Sequence, residues 1–392
     1  MLSVLRVARK SLGHLAAAAA ALVLASCTDI ATSSAPGPSI DTAAPVPVAL
    51  LVPGGSGQPG DELLARSLQN AARLAIADLG GVQIDLRVYN TAGSPAQAQA
   101  MATQAVAEGA KIILGPVFAQ EANAAGLAVA ASGVNVLAFS NNTDIAGGNV
   151  FVLGPTFDNT AGRLASYAVR EGRGQVMIIQ DQSTAGDLGR AAIERGVAAA
   201  GGAVVAVGSY EFSQNGVVSA APGLVAKAKS SGASSVFLTA DAAGALPLIT
   251  QMLSENGLDP AATRYIGLTR WDSLSGTMDL PGLQGGWFAL PDPGLYQTYR
   301  ARYQAVYGEE PHPISGLAYD GIAAIGALVR QGNTQALSIT SLTQGAGFVG
   351  VNGIFRLRAD GTNERGLAVA QVQNRTLVIV DPAPRNFGGA GF

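Results

Sequence analysis

Short apolar runs alternate with longer segments of helical periodicity along most of the chain. In residues 110–143, the apolar runs 111–114 and 134–138 flank an alanine-rich segment. Such runs suit buried parallel strands, and a parallel pair needs a crossover connection that is usually a helix. This stretch therefore predicts strand, helix and strand, with a loop at the carboxyl end of each strand.

The same alternation predicts two βα series. The first has strands at 46–52, 82–89, 111–114, 134–138 and 150–153, with helices at 61–79 and 95–108. The second has helices at 159–170, 188–199, 223–229 and 242–255, and strands at 175–180, 203–209, 234–239 and 264–267. A strand at 287–290, helices at 295–307, 314–330 and 337–343, and strands at 353–357, 367–373 and 377–380 complete the chain. The pattern predicts an α/β fold of two lobes.

Open α/β sheets bind ligands at the carboxyl ends of their strands, where helix N-termini and free backbone N–H groups collect. In the first lobe, the loops after residues 114 and 138 therefore supply these candidates for ligand binding: Phe118, Ala119, Gln120, Ser140, Asn141, Asn142 and Thr143. The alternative is structural, because Gly115-Pro116 suits a turn and residues 140–143 suit a helix cap.

In the second lobe, the candidates follow the strands at 175–180, 234–239 and 264–267. They are Asp181, Gln182, Asp241, Thr269, Arg270 and Trp271. Asp241 is equally suited to cap the next helix. Trp271 either stacks on a ligand beside Arg270 or packs the edge of the lobe.

Composition narrows the function classes. The chain has 392 residues, of which 48% are hydrophobic and 13% are charged, which is enough for two domains with buried sheets. Without the three basic residues near its N-terminus, it carries 21 Lys and Arg against 27 Asp and Glu. This acidic balance, together with the lack of a basic aromatic stripe, argues against nucleic-acid binding.

The N-terminus predicts a bacterial lipoprotein signal over residues 1–26. Three basic residues precede an apolar stretch at 12–24, and Leu24-Ala25-Ser26-Cys27 follows as a small-residue cleavage site. A transmembrane anchor is the alternative, and the short apolar run disfavours it. By resemblance to such lipoproteins, Cys27 is the lipidated residue and its lipid is the only membrane contact. Thr28, where an aspartate would favour the inner membrane, points to the outer membrane.

Two further features concern the exported part. Residues 27–45 are rich in Ser, Thr, Ala and Pro, which predicts a disordered tether. Cys27 is the only cysteine, so we expect no disulfide and no thiol for catalysis.

Catalytic and cofactor sites are not expected. Residues 55–60 match G-x-G-x-x-G between a strand and a helix, but Tyr89 and Asn90 stand where a dinucleotide site needs an acidic residue. A flexible loop is the favoured interpretation. Beyond the signal the one histidine is His312, between two prolines, where we expect a surface position. A serine triad needs a histidine or an equivalent base near its nucleophile, and a zinc site here would have to rely on carboxylates. We therefore expect no enzyme, no cofactor and no metal.

Several short motifs resemble the leucine/isoleucine/valine-binding branch of the type I periplasmic solute-binding proteins. They are Ala72-Arg73-Leu74-Ala75-Ile76, Leu114-Gly115-Pro116, Ile178-Ile179-Gln180-Asp181, Ala318-Tyr319-Asp320-Gly321 and residues 348–356. The resemblance implies two Rossmann-like lobes with parallel sheets, three hinge crossings near residues 154, 285 and 347, and a ligand cleft. We therefore expect lobe 1 at 46–154 plus 286–346, lobe 2 at 155–285 plus 347–382, and a tail at 383–392.

The resemblance also implies a function. In amino-acid-binding relatives, a serine near Ala119, an aromatic near Ala185 and an acidic residue near Thr269 hold the ligand, so this chain departs at all three positions. We expect a non-catalytic receptor that delivers a small polar, amino-acid-like ligand to an ABC permease, although the departures disfavour standard leucine binding. The alternative is an outer-membrane activator of penicillin-binding proteins, which binds a peptidoglycan synthase with the same fold.

Overall fold

A computed structural model describes residues 37–388, which form two open β-sheets with helices on both faces of each. This arrangement confirms the predicted two-lobe α/β fold. The signal sequence and Cys27 lie outside the described residues.

Lobe 1 is built on a five-stranded parallel sheet in the order β2-β1-β3-β4-β5. Its strands are β1 (Val46–Val52), β2 (Ile84–Asn90), β3 (Ile112–Leu114), β4 (Asn135–Ala138) and β5 (Val150–Val152). Side chains alternate between the two faces of the sheet, so Val48 and Leu50 pack in the core on one face while Ala49 and Leu51 pack in the core on the other. Continuous apolar runs of this kind are required because both faces of the sheet are covered.

Helices on the two faces of this sheet come from distant parts of the chain. The first face carries α1 (Pro59–Asp78), α8 (Pro293–Tyr307) and α9 (Gly316–Val329). The second carries α2 (Pro95–Ala107) and α3 (Ala119–Val129). A short helix, α10 (Ile339–Leu342), contributes Leu342 to the first core.

Lobe 2 is built on a seven-stranded sheet in the order β15-β14-β10-β9-β8-β6-β7, in which only β14 and β15 run antiparallel to their neighbours. Its strands are β6 (Gln175–Asp181), β7 (Ala203–Tyr210), β8 (Ser235–Leu238), β9 (Arg264–Gly267), β10 (Trp287–Leu290), β14 (Ala368–Gln373) and β15 (Thr376–Asp381). Helices α4 (Phe157–Arg170) and α5 (Thr184–Ala199) cover one face, and α6 (Gln214–Ser230) and α7 (Leu246–Glu255) cover the other. Three short antiparallel strands form a separate sheet: β11 (Phe348–Gly350), β12 (Gly353–Leu357) and β13 (Asn363–Arg365).

The structure corrects several predicted boundaries. Strand β10 pairs with β9 and β14, so it belongs to lobe 2 and not to the predicted lobe 1 segment 286–346. Phe348 and Phe355 pack in the lobe 1 core, whereas Leu367 packs in lobe 2, so the last crossing comes well after the predicted position near residue 347. The predicted tether at 27–45 is also too long, because Ile40 is buried in the lobe 1 core and its N–H donates to the Thr334 carbonyl at 2.9 Å.

A buried ion pair joins the segments that cross between the lobes. Arg365, at the end of β13, donates from Nη1 to Asp320 Oδ2 at 3.1 Å, and both side chains are almost wholly inaccessible. Arg365 Nε also donates to the carbonyl of Leu153, at the start of the first crossing, at 2.9 Å. The guanidinium lies 5.0 Å from the centre of the Phe355 ring. One side chain therefore connects α9, the first crossing and the third.

The second member of this pair is equally well satisfied. Asp320 Oδ1 accepts from the Val351 N–H at 2.8 Å, and Oδ2 accepts from Asn352 Nδ2 at 3.0 Å. Alongside it, Asn363 Nδ2 donates to the carbonyls of Val152 and Gly154, both at 2.8 Å. A buried charge pair is tolerated when its remaining hydrogen-bonding groups are satisfied in this way.

Among the helices within residues 37–388, none combines the length and apolarity needed to cross a bilayer.

The variant Asp320→Asn tests the role of the buried pair in stability. It removes the negative charge but keeps the side-chain shape, which leaves the Arg365 guanidinium buried without a counter-charge. We expect the free energy of unfolding to fall by about 3–5 kcal/mol, measured by urea denaturation. The control is Glu310→Gln, since Glu310 pairs with Arg300 and both side chains are about half exposed (50% and 46%). We expect no measurable change in the control, because solvent screens an exposed pair, and equal losses in the two variants would contradict this account.

Candidate functional site

A cavity of about 450 Å³ lies where the two lobes meet. The crossing segments supply part of its wall, through Pro155, Pro291 and Leu367. Other contributions come from the loop after β9, the loop before α9 and the turn between β11 and β12, and the remaining lining residues include Phe157, Thr160, Leu268, Leu290, Tyr296, Ile314, Leu317, Asn352 and Arg365. The lining is mostly apolar with a few polar groups, which is the usual character of a small-molecule site.

The lobe 2 wall is the carboxyl end of β9. Leu268 is buried there, and the following residue, Thr269, donates from Oγ1 to the carbonyl of Ala240 at 3.2 Å. This bond ties the loop after β9 to the loop after β8, and Thr269 lines the cavity. The predicted site residues Thr269 and Arg270 therefore both line the cavity.

Arg270 supplies the positive charge of this wall. Its Nε donates to Asp272 Oδ1 at 2.9 Å and its Nη2 donates to Oδ2 at 2.6 Å, in a bidentate pair. The Arg270 side chain is 44% exposed and that of Asp272 15% exposed. Burial acts to lower the pKa of Arg270, but the hydrogen bond and the charge of Asp272 outweigh it and raise that pKa. Arg270 is therefore a fixed positive charge held in one orientation.

The lobe 1 wall consists of Tyr296, from the first turn of α8, and the residues after His312. The His312 N–H donates to Ser67 Oγ at 2.8 Å, and its Nδ1 accepts from the Ile314 N–H at 3.4 Å. His312 is partly buried, and this burial lowers its pKa. Its role is to shape the loop that presents Pro313 and Ile314 to the cavity.

The first turn of α4 closes a further side. Thr156 caps this helix, because its Oγ1 accepts from the Asn159 N–H at 3.2 Å while the Thr156 N–H donates to Asn159 Oδ1 at 3.1 Å. Phe157 and Thr160 lie one turn apart and both face the cavity. The amino end of a helix favours negative charge, so this turn adds a weak preference for anions.

The predicted lobe 1 residues do not line this cavity. Ser140 is buried and its Oγ accepts from the Asn142 N–H at 3.1 Å, and Asn142 Oδ1 accepts from the Asp144 N–H at 2.8 Å. Phe118 is the N-cap residue of α3 and is 41% exposed. Ala119 and Gln120 begin α3, and Asn141 and Thr143 belong to the loop after β4. The capping interpretation accounts for Ser140 and Asn142, while ligand binding by this group stays a prediction.

Sequence reasoning overlooked the most buried charge at this edge of lobe 1, Glu121. It is 1% exposed and accepts from Thr91 Oγ1 at 3.0 Å. Burial raises the pKa of its carboxyl group, and the hydrogen bond from Thr91 opposes that rise.

The remaining lobe 2 candidates also make internal contacts. Asp181 is buried, and its carboxylate accepts from the hydroxyls of Ser183 and Thr239. Asp241 Oδ1 accepts from the Gly244 N–H at 2.5 Å, so it closes a turn; it does not cap the next helix as the alternative interpretation had it, because the N-cap residue of that helix is Ala245. Gln182 is exposed and its Nε2 donates to Ser209 Oγ at 3.3 Å. None of these three lines the cavity.

Trp271 is a core residue, so the suggestion that it stacks on a ligand is wrong. Its side chain has no exposed surface and packs against Phe288 with ring centroids 5.6 Å apart. Gly267 and Gly286 lie against the indole, and a Cβ atom at either position would collide with it. Trp271 thus anchors the loop that carries Thr269 and Arg270.

Within residues 37–388, no cluster of three or more His, Cys, Asp and Glu side chains has a geometry suited to a metal ion.

Comparison with known proteins decides the family. A model of periplasmic binding proteins matches residues 45–376, which is most of the chain. The chain belongs to the periplasmic binding protein family. This confirms the resemblance found in the sequence; the relation to activators of penicillin-binding proteins stays a prediction. No curated protein sequence matches the chain.

Solved structures share the fold of this periplasmic binding protein at low sequence identity. A protein of Rhodospirillum rubrum assigned to branched-chain amino acid ABC transport is 17% identical, with a TM-score of 0.71, over 86% of this chain and 100% of that one. A branched-chain amino acid ABC transporter ligand-binding protein of Burkholderia xenovorans is 18% identical, with a TM-score of 0.68, over 88% and 97%. A solute-binding protein of Rhodopseudomonas palustris, in complex with 3,4-dihydroxybenzoic acid, is 18% identical, with a TM-score of 0.57, over 86% and 96%.

Several cavity residues of this periplasmic binding protein were not predicted from the sequence. Tyr296, Ile314, Asn352 and Arg365 lie on elements far apart along the chain. Ile314, Asn352 and Arg365 follow no strand of a parallel sheet, and Tyr296 lies within the helix after β10 and not in the loop at the end of that strand. A search restricted to the loops at the carboxyl ends of parallel strands therefore cannot find them. The motif at 348–356 was the one available signal, because it contains Asn352.

The variant Trp271→Ala tests the anchoring role of this side chain. Removing a fully buried aromatic ring leaves a large void, so we expect the free energy of unfolding to fall by about 3–5 kcal/mol in urea denaturation. The control is Leu274→Ala in the same loop, where Leu274 is 46% exposed, and a change below about 1 kcal/mol is expected. A Trp271→Ala protein as stable as the control would show that the indole does not support this loop.

Proposed function

We propose that this protein is the solute-binding component of an ABC importer and captures a small organic ligand in the cavity between its lobes. The observation that carries the proposal is the position of the cavity, which takes residues from both lobes and from the segments that cross between them. A ligand in this position contacts both lobes at once, so it favours whichever relative arrangement of the lobes buries it best. The protein acts without catalysis.

The lining supports an amino-acid-like ligand with an apolar body. Phe157, Leu268, Leu290, Ile314 and Leu317 offer apolar contacts, and the cavity volume lies within the usual range for small-molecule sites. Polar recognition is left to Arg270 and a few neutral groups. Proteins of the same fold bind ligands of comparable size, including the 3,4-dihydroxybenzoate bound by the Rhodopseudomonas palustris protein.

Lipid anchoring places this function in the periplasm on a membrane surface. The small-residue sequence before Cys27 and the basic and apolar segments ahead of it support processing as a lipoprotein. Thr28 favours the outer membrane. ABC permeases lie in the inner membrane, so an outer-membrane anchor suits the second candidate function better than import.

That second candidate is an activator of penicillin-binding proteins, supported by the Cys27-Thr28 sequence. In this role the same fold binds a peptidoglycan synthase, and the cavity need not hold a solute. Crosslinking in cells separates the two functions: recovery of a peptidoglycan synthase supports the activator, and recovery of an ABC permease supports import.

Ligand binding is tested by thermal unfolding of the protein against a panel of amino acids, organic acids, peptides and nucleosides. A true ligand at a hundredfold excess over its dissociation constant stabilises the folded protein by about 2.7 kcal/mol. We expect a hit among ligands with an apolar body. A panel without any stabilising compound would contradict the import function.

The variant Thr160→Trp then locates the site. Thr160 lines the cavity from the first turn of α4, so an indole there fills space that the ligand needs. We expect binding of the panel hit to weaken by about tenfold or more, measured by calorimetry. Ser166→Trp is the control, since Ser166 lies on the same helix outside this cavity. Equal binding by both variants would place the ligand elsewhere.

The anchor is tested by Cys27→Ser in the full chain expressed in a Gram-negative host. Without the thiol there is no site for the lipid, so we expect labelled palmitate to be incorporated into the wild type and not into Cys27→Ser. Separation of inner and outer membranes on a density gradient then locates the wild type. Incorporation of palmitate into Cys27→Ser would overturn lipidation at this residue.

A further inference from the structure

The charged groups of the cavity restrict the class of ligand. Among its described lining residues, three carry a charge: Arg270, Arg365 and Asp272. Two are therefore cationic and one is anionic. Each arginine is paired with a carboxylate: Arg270 with Asp272, and Arg365 with Asp320, which lies behind the wall. The preference of the cavity therefore depends on which hydrogen-bonding groups of these pairs remain free.

The single carboxylate is already engaged. Both oxygens of Asp272 accept hydrogen bonds from Arg270, at 2.9 and 2.6 Å, and only 15% of its side-chain surface is exposed. A ligand ammonium placed here would have to break this bidentate pair or remain unpaired, and an unpaired ammonium in a desolvated site is strongly unfavourable. The cavity thus lacks a partner for an ammonium group.

The two arginines differ in whether any guanidinium nitrogen remains free to donate a hydrogen bond to a ligand. All three guanidinium nitrogens of Arg365 donate, Nη1 to Asp320 and Nε and Nη2 to the Leu153 carbonyl. Arg270 donates to Asp272 from Nε and Nη2 only, and its Nη1 makes no hydrogen bond to any residue of the described chain. Asp272 fixes the plane of this guanidinium, so the Nη1 donors are held ready for an anionic group.

The other carboxylates at the edge of lobe 2 do not supply the missing counter-charge. Asp181 accepts from two hydroxyls and Asp241 accepts from a backbone N–H, and neither lines the cavity. On the lobe 1 side, the nearest lining residues are Tyr296, Pro313, Ile314 and Leu317, which carry no negative charge at neutral pH. The cavity can therefore accommodate an apolar ligand body and one carboxylate.

We propose that the ligand is a monocarboxylate with an apolar aliphatic or aromatic body and no α-ammonium group, held through its carboxylate by Arg270. It is amino-acid-like in size and side chain, but deaminated. This inference rests on the proposed function of the cavity as a solute-binding site. It makes Arg270 a specificity-determining residue and Asp272 the residue that positions it.

Matched ligand pairs test the proposal directly in calorimetry with the purified protein. The pairs are 4-methylpentanoate against leucine and 3-phenylpropanoate against phenylalanine, which share the carboxylate and apolar body and differ in the ammonium. We expect the deaminated member of at least one pair to bind about tenfold or more tightly than its amino acid. The neutral amide 3-phenylpropanamide is expected to bind more weakly than its acid.

The variant Arg270→Gln is expected to weaken binding of the favoured acid by about tenfold or more, because it removes the charge-assisted hydrogen bonds. Arg300→Gln is the control, since Arg300 also forms a two-bond pair with a carboxylate but lies outside the cavity. We expect this variant to bind the acid as tightly as the wild type does. Far-ultraviolet circular dichroism and the melting temperature confirm that both variants fold.

The outcomes separate the proposal from the function on which it rests. Tighter binding of leucine or phenylalanine would overturn the ligand class while supporting the solute-binding function, and would assign the ammonium to a carboxylate outside the cavity. Equal loss in the two arginine variants would overturn the role of Arg270. If no member of either pair and no compound in the wider panel binds, the solute-binding function itself fails.

Discussion

The Asp320–Arg365 ion pair is the contact on which the relation of the two lobes depends. A guanidinium buried between a helix of lobe 1 and the first and third crossings is costly unless its donors find acceptors. Asp320 and the Leu153 carbonyl meet that requirement, and backbone N–H groups satisfy the carboxylate in turn. Because the two side chains stabilise each other, they connect the first and third crossings to lobe 1.

The cavity follows from this junction. Arg365 and Asn352 form part of both the polar network and the cavity wall, so the network positions the floor on which a ligand would rest. Around that floor the two lobes contribute apolar side chains, and the fully buried Trp271 holds the loop that presents Arg270. Rigid support below and a single oriented charge at one wall are the properties expected of a selective solute receptor.

Much of the fold was predictable from the sequence because both sheets are buried. Strands β1, β10 and β12 match their predicted bounds, since each is a compact apolar run ending at a polar residue or a breaker. Helix α6 was predicted to start only after Pro222, yet it begins at Gln214, because Ser213 caps it through the Gly216 N–H and the helix continues through the proline. Strands β11 and β13 are three residues long, too short for alternation to reveal.

The site was predictable only in part. Thr269 and Arg270 were found because they follow a parallel strand, but Trp271 was placed in the site on chemical type alone and is buried in the core. The same rule selected Ser140 and Asp181, whose polar atoms are used within their own lobes. Which polar residues remain free for a ligand depends on partners far away in the chain, and single-sequence patterns do not contain that information.

The most direct test of the central claim is a crystal structure of the protein grown with 3-phenylpropanoate. The account predicts the carboxylate within hydrogen-bond distance of Arg270 Nη1 and the phenyl ring among Phe157, Leu268 and Ile314. Ligand density at any other place on the lobes, with this cavity filled only by water, would contradict it.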